Sequence, residues 1–237
     1  ERSVSQKSVS QLSSRFPGTF LNRDPTKDKG LIAPRTPCPV LYGIRGSSSS
    51  EVENAHIWLQ SEKDVESCKS YAIHRSNQVS DDHIESIQSG SVICKPSETR
   101  GGHAYISVFS GGQSLSLVAF HEGGPVNRLL RNLKPGDIIS WVGLHSPDSS
   151  IHLERLRLDS AVPRIFSRPM CCSRTMRSSG RNQGLRCVSC GRKEKKTWYS
   201  KNFDDIHDPI SGIWLEPTPS NRRHLSRPLS LGLPGTN

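Results

Sequence analysis

Between residues 91 and 159, apolar and polar positions alternate in short runs separated by Gly, Ser and Pro: Val92–Cys94, His103–Phe109, Leu115–Phe120, Asp137–Gly143 and Ile151–Leu158. A period of two over such lengths predicts five strands, each burying one face. Between the third and fourth runs the period changes. PVNRLLRNLKPGD sets Val126, Leu129, Leu130 and Leu133 at helical spacing, and Pro135-Gly136-Asp137 ends the helix in a turn. Three strands, a helix and two strands is the order of an OB barrel, a small closed sheet whose outer groove suits oligonucleotides. A five-stranded barrel with another duty would give the same order.

Upstream the pattern is sparser. Residues 1–15 are Ser-rich without an apolar period and read as a linker or frayed edge, so order is expected to begin at Phe16. In LIAPRTPCPVLYGIRG, Pro34, Pro37 and Pro39 punctuate Leu31–Ala33 and Val40–Ile44, which predicts two short strands joined by a stiff loop. Ser47–Ser50 reads as a turn or flexible link, and residues 51–68 mix Ala55, Ile57, Trp58, Leu59 and Val65 with charges, as one or two short helices do. The expectation is an α+β, multidomain chain.

Composition narrows this picture. A chain of 237 residues with 32% hydrophobic content builds roughly one to two domains with small cores. No run approaches the ~20 apolar residues that span a bilayer, and ERSVSQKSVS lacks the apolar core of a secretion signal. A cytoplasmic protein without a membrane partner is expected. The net charge of +10 is local: residues 164–201 hold eleven basic side chains and one acidic one, Glu194.

Four of the seven cysteines fall in that basic segment, which favours a metal over disulfides in a chain without a secretion signal. Cys187-Val188-Ser189-Cys190-Gly191 is one half of a zinc knuckle, with two thiolates three apart and a Gly for the turn. The other half is contracted to adjacent Cys171 and Cys172, whose side chains would point apart in an extended chain. Zinc on Cys171, Cys172, Cys187 and Cys190 is expected, with a metal-free or partly liganded ribbon as the alternative. Around them stand Arg174, Arg177, Arg181, Arg186, Lys193, Lys195 and Lys196, with Trp198 following and Arg222 and Arg223 further on. Cations release counterions from phosphates and an aromatic stacks on an unpaired base, so this is a candidate RNA-binding surface; a solvated basic face is the plainer reading.

Catalytic signals are few. Asn77 and Gln78 precede Asp81, Asp82 and His83, a cluster able to bind a cation, orient a substrate or cap a helix at Asp81. No phosphate-cradling loop, nucleophile elbow or zinc-protease motif occurs. Cys38, Cys68 and Cys94 are isolated and read as small core residues.

Collinear motifs then enter together: TFLNRD at 19–24, IAPRTPCPVLYGIRG, SNQVSDDHI, GGHAYISV, LKPGD, HLERLRL, RPMCC, MRSSGRNQGLRCVSCG and RRHLSRPL. In this order they resemble the archaeal tRNA-isoleucine agmatinylcytidine synthetase (TiaS) family. That resemblance implies four domains. They are a kinase-like catalytic domain using ATP and Mg²⁺, a ferredoxin-like domain binding agmatine, an OB fold and a zinc ribbon, which together attach agmatine to the wobble cytidine of the CAU anticodon of tRNA-Ile. It places part of the ferredoxin-like domain at 1–88, the OB fold at 89–162, the ribbon at 163–201 and a tail at 202–237. The catalytic domain is then missing, and the fragment alone should be inactive. The resemblance also implies an agmatine pocket bordered by Asp24 and by Tyr42, Gly43, Ile44, Arg45 and Gly46, with Asn77, Gln78, Asp81, Asp82 and His83 near a domain junction. The family's usual TNQGTDDH reads SNQVSDDH here, changed at Ser76, Val79 and Ser80. A free-standing OB and ribbon protein that binds nucleic acid without catalysis is the alternative.

Overall fold

A computed structural model of the chain describes residues 3–84, 86–162, 165–196, 199–201 and 211–233. Two compact units emerge: residues 1–85 with 122–126 and 216–237, and residues 86–121 with 127–215.

The first unit begins with a helix. Helix α1 (Gln6–Arg15) starts where the Ser5 hydroxyl accepts from the Ser8 N–H and buries Val9 and Leu12. The linker expected there is therefore corrected. Only two apolar residues mark the helix, too few for a visible period, and its stability comes from what they touch. Val9 and Leu12 pack with Ile32 and with Ala55 and Leu59. The last two belong to α2 (Ser49–Gln60), capped by Ser48. The hairpin β1 (Arg23–Asp24) and β2 (Lys29–Gly30) lies between the helices in sequence. The segments expected as strands at 31–33 and 40–44 form no ladder and are held by single bonds such as Gly43 N–H to the Ile32 carbonyl, 2.8 Å. Ile32 and Ala33 lie in bends, and Pro34, Pro37 and Pro39 stiffen the stretch between the two runs. Beyond Gln60 the chain is irregular, so the helical segment stops earlier than residue 68.

The second unit holds the barrel. Its strands are β3 (Gln88–Val92), β5 (Ala104–Ser110), β6 (Gln113–Ala119), β7 (Ile138–His145) and β8 (Ser150–Ser160), with the short β4 (Ser97–Glu98) paired to β5. The order β3-β5-β6-β8-β7 closes because β7 pairs back to β3, and β6–β8 is the one parallel pairing among the five. This is a closed five-stranded OB barrel, as the pattern predicts, although its first strand lies at Gln88–Val92 and not at the expected Val92–Cys94. Alternation is plain in β5, where Ala104, Ile106 and Val108 are buried between less buried neighbours. Closure needs a register shift at Val142/Gly143, where a Cβ on Gly143 would stand 2.6 Å from the His152 carbonyl oxygen. Helix α3 (Pro125–Asn132) buries Leu129 and Leu130, and Leu133 follows into the core. The LKPGD turn is tied by buried Asp137, whose carboxylate accepts from the N–H of Lys134 at 2.7 Å and of Val162 at 2.9 Å.

The remaining strands are short: β9 (Ile165–Ser167) pairs with β15 (Tyr199–Lys201), β10 (Met170–Cys171) with β11 (Arg174–Thr175), and β12 (Arg177–Ser178), β13 (Leu185–Arg186) and β14 (Lys193–Glu194) form one sheet. Strand β16 (Trp214–Leu215) adds to β8. The three isolated cysteines are not core residues: Cys38 is exposed and Cys68 and Cys94 are partly so. Among the described residues no helix is long and apolar enough to cross a membrane.

Candidate functional site

The four ribbon thiols converge. The Sγ atoms of Cys171, Cys172, Cys187 and Cys190 all lie within 4.8 Å of one another, with Cys171 at 3.5 Å from Cys190 and 3.9 Å from Cys172. The neighbours Cys171 and Cys172 do not point apart because the chain there is not extended. Cys172 and Ser173 take φ of 49° and 59°, a left-handed turn between β10 and β11 that brings consecutive side chains to one side. A tetrahedral zinc with Zn–S bonds near 2.3 Å sets sulfurs about 3.8 Å apart, so the geometry fits four thiolates. The electrostatics point the same way. The Cys187 thiol is lowered to about 6 by the backbone N–H groups of Cys190 and Ser189, while Cys171 is pushed up to about 12 by hydrogen bonding with Cys190 and Cys187. One thiolate is thus stabilised by backbone amides and its neighbour is held protonated. A dication would let all four ionise.

Around this cluster the basic side chains are ordered rather than scattered. Arg177 stands opposite Arg186 across β12–β13, and Arg186 opposite Lys193 across β13–β14. Cross-strand partners share a face, so three cations form a row, all exposed, while Leu185 is buried on the other face. Like charges directly opposite destabilise a sheet unless an anion covers them. Arg168, Arg174 and Arg177 also line a hollow of about 470 Å³ with Met176 and Val188. Arg181, Lys195 and Lys196 are exposed as well. Trp198 lies outside the described residues. Arg222 is placed otherwise than expected: its side chain is 3% exposed and pairs with Glu216 at 2.7 Å, and it donates to the Arg227 carbonyl. It holds a loop and has no free fork for RNA, whereas Arg223 is exposed.

In the first unit a cleft of about 920 Å³ is lined by Tyr42, Gly43, Ile44, Arg45 and Gly46, by one side of α2, and by the strap Tyr71–Ser76 with Gln78 and Val79. Residues 42–46 are thereby brought together with Gln78. Gly46 must be small, since a Cβ would stand 2.6 Å from Val52 Cγ1 where the loop meets α2. The α2 wall carries groups the sequence pattern did not single out. His56 Nδ1 lies 2.8 Å from the Tyr42 hydroxyl, its ring meets that of Tyr71 at 4.2 Å with a tilt of 39°, and the Tyr71 hydroxyl donates to Glu53 at 2.8 Å. Burial pushes Tyr42 up to about 12, although a hydrogen bond from Gln60 opposes it, and burial draws His56 down. Glu53 and His56, one helical turn apart, were the available signal.

Asp24 is not among the lining residues. It is fully buried, with Oδ1 accepting from the Thr26 N–H and hydroxyl at 2.9 and 2.6 Å and Oδ2 from the Ser220 N–H at 3.1 Å. Burial alone would raise its pKa, but hydrogen bonding from Ser220 and Thr26 outweighs it and holds the carboxyl well below the usual range. Asp81 is likewise buried and hydrogen-bonded within its own unit. No helix follows for it to cap; instead its carboxylate accepts from the Arg227 N–H at 2.7 Å and its own N–H donates to the Leu225 carbonyl at 2.9 Å. His83 sits 3.5 Å from the Ser226 hydroxyl, and Asn77 and Asp82 are exposed. The segment 216–233, which the resemblance gives only as part of a tail, is thus tied to two carboxylates of its own unit.

Comparisons with known proteins converge on one family. Residues 1–83 match the family model of the TiaS FLD domain. The chain is 31% identical to the isoleucine-tRNA 2-agmatinylcytidine synthetase TiaS of Methanopyrus kandleri, across 98% of this chain and 59% of that protein. It is 32% identical to that of Archaeoglobus fulgidus, across 90% and 53%. Among solved structures, apo TiaS superposes with a TM-score of 0.73 at 27% identity. The complex of TiaS with its isoleucine tRNA and ATP superposes with 0.74 at 28%, and each match covers all of this chain and 58% of the other. The chain spans about half the length of the curated relatives it matches.

Proposed function

We propose, from the premise that this chain belongs to the TiaS family, that it is the RNA- and amine-holding portion of a ligase joining agmatine to the wobble cytidine of tRNA-Ile with a CAU anticodon. What carries the reading is a coincidence of place. The built cleft falls inside the segment that matches the family domain, and the cation row falls in the ribbon beyond the barrel. Residues 1–88 would act as the agmatine domain, 89–162 as the OB fold and 163–201 as the ribbon. ATP and Mg²⁺ would be handled by the part of the relatives outside this chain's span.

Agmatine carries a guanidinium and an amine. In the cleft, Glu53 is the carboxylate among the lining residues, and Tyr42, His56 and Tyr71 give it an aromatic wall on which a cation can lie. The carbonyls of residues 43 and 44 supply further acceptors. In the ribbon Cys171, Cys172, Cys187 and Cys190 would hold zinc, which pins the β10–β11 hairpin to the Cys187–Cys190 turn. The row of Arg177, Arg186 and Lys193 would meet RNA phosphates.

The experiment is binding of the 237-residue chain to tRNA-Ile with a CAU anticodon and to an unrelated tRNA, at two salt concentrations, with and without agmatine. Preference for the cognate tRNA is expected. Equal, strongly salt-dependent binding to both, without response to agmatine, would leave a nucleic-acid-binding protein of no specificity, which the cation row alone also fits.

A further inference from the structure

The charges of the cleft do not match a dication alone. Among its lining residues the guanidiniums Arg45 and Arg75 stand against the single carboxylate Glu53, which is engaged by Tyr71. A ligand with two positive ends would meet the partly buried Arg45 and the exposed Arg75 in the same wall, and like charges repel, most strongly at the buried one. Something anionic is needed to balance them.

Arg45 is the sharpest case. It is partly buried, and its Nε donates to the Gln78 side-chain carbonyl, a neutral acceptor. Among the described residues neither Arg45 nor Arg75 pairs with a carboxylate. A guanidinium taken partly out of water without a counter-ion is costly, and burial accordingly draws its pKa down. A bond at Nε fixes the plane of the fork and leaves the terminal nitrogens for a two-pronged contact with a tetrahedral anion. Beside it Gly43 opens the wall, since a Cβ there would meet nothing within 4 Å. The N-terminal turn of α2 at Ser48 and Ser49 also faces the cleft and adds a positive end of a helix.

Resting on the reading of this cleft as the amine site, we infer that Arg45, positioned by Gln78 and joined by Arg75 and His74, forms a phosphate subsite in it, so that an amine and a phosphoryl group occupy the cleft together. The phosphoryl group belongs either to the RNA backbone or to a nucleotide; the chemistry at Arg45 is the same. Each ligand neutralises part of the other's repulsion, so each raises the other's affinity by the same factor.

The test is NMR titration of the full chain, read at the Gly43 and Gly46 amide signals, which report the cleft and not the ribbon. The probes are inorganic pyrophosphate, ATP with Mg²⁺, a stem-loop RNA with a CAU loop, and agmatine. Pyrophosphate should shift both signals, and R45Q should weaken its binding about tenfold or more, as loss of a charge-assisted bidentate contact does. Q78E is the second variant: it pairs the guanidinium internally, keeps the fold and should weaken pyrophosphate to a similar extent. Agmatine affinity should rise severalfold when pyrophosphate is present, and the rise should vanish in both variants. Shifts by the RNA but not ATP, or the reverse, identify the source. If R45Q and Q78E, both folded, bind pyrophosphate at the cleft as the parent does, the subsite is refuted. If pyrophosphate binds and agmatine alone or with it does not, the amine reading fails while the phosphate subsite stands.

Discussion

Val79 has φ of 57°, a left-handed conformation that a β-branched side chain adopts at a cost of roughly 1–2 kcal/mol. It is kept there because its N–H donates to the His224 carbonyl at 2.9 Å and its side chain borders the cleft. The resembled family pattern has Gly at this position, which needs no such compensation. Val79→Gly should therefore stabilise the chain by about 1 kcal/mol, less whatever freedom the glycine gives the unfolded state. A urea midpoint that falls would show that the Val79 side chain packs better than its backbone is strained. Asp24 gives the opposite sign. Its carboxyl has a folded pKa far below the unfolded value of about 3.9, so its stabilisation is complete above that value and is lost as pH falls below it. Asp24→Asn should cost about 2–3 kcal/mol at pH 7, from hydrogen bonds to a charged group. The gap between parent and variant should shrink as unfolding is followed from pH 5 to pH 2. A pH-independent gap would mean that shape, not charge, matters at this site.

At the scale of elements, the ribbon has almost no core of its own: Met176, Leu185 and Cys187 are buried, with Cys171 packed against them. Strands of two residues with so little apolar burial do not hold by themselves, so metal binding there is folding free energy. Cys187→Ser, or a strong chelator, should release the β10–β14 segment while the barrel strands stay protected in hydrogen exchange. Unchanged protection of both would mean that the thiols ligate nothing. The barrel was legible because β5 alternates plainly, the later strands are apolar runs bounded by turn residues, and its helix shows period 3.6, whereas β3, QSGSV, carries almost no apolar signal. The knuckle was half legible: Cys187 and Cys190 announced themselves, but the convergence of Cys171 and Cys172 depends on two left-handed residues, Cys172 and Ser173, that no Gly marks. Helix α1 was hidden for another reason, since Val9 and Leu12 are its entire apolar face. The α2 wall escaped because Glu53 and His56 become a site only beside Tyr42 and Tyr71, contacts that sequence spacing does not carry. Asp24 has its ligand role by resemblance and Asp81 by its acidic cluster, yet each carboxylate is engaged by a backbone N–H more than 140 residues away.

At the scale of the whole molecule, charge is segregated. The first 163 residues are nearly neutral, and the net +10 is carried by residues 164–201. A polyanion should therefore be drawn first to the ribbon, with a strength set by counterion release and not by base identity. Each phosphate neutralised contributes about 0.7 to the slope of log affinity against log salt for single-stranded RNA and about 0.9 for duplex. If Arg177, Arg186 and Lys193 each meet one, replacing all three by Ala should reduce that slope by about 2–3 units and weaken all RNAs alike. The same variant should gain stability in the absence of RNA, because the row sets like charges opposite each other across two strand pairs. That paired outcome, weaker RNA binding with a firmer free ribbon, separates a surface strained to receive phosphates from one merely solvated. A slope unchanged within a few tenths, or a ribbon that loosens when the cations are removed, would move the RNA path off this sheet.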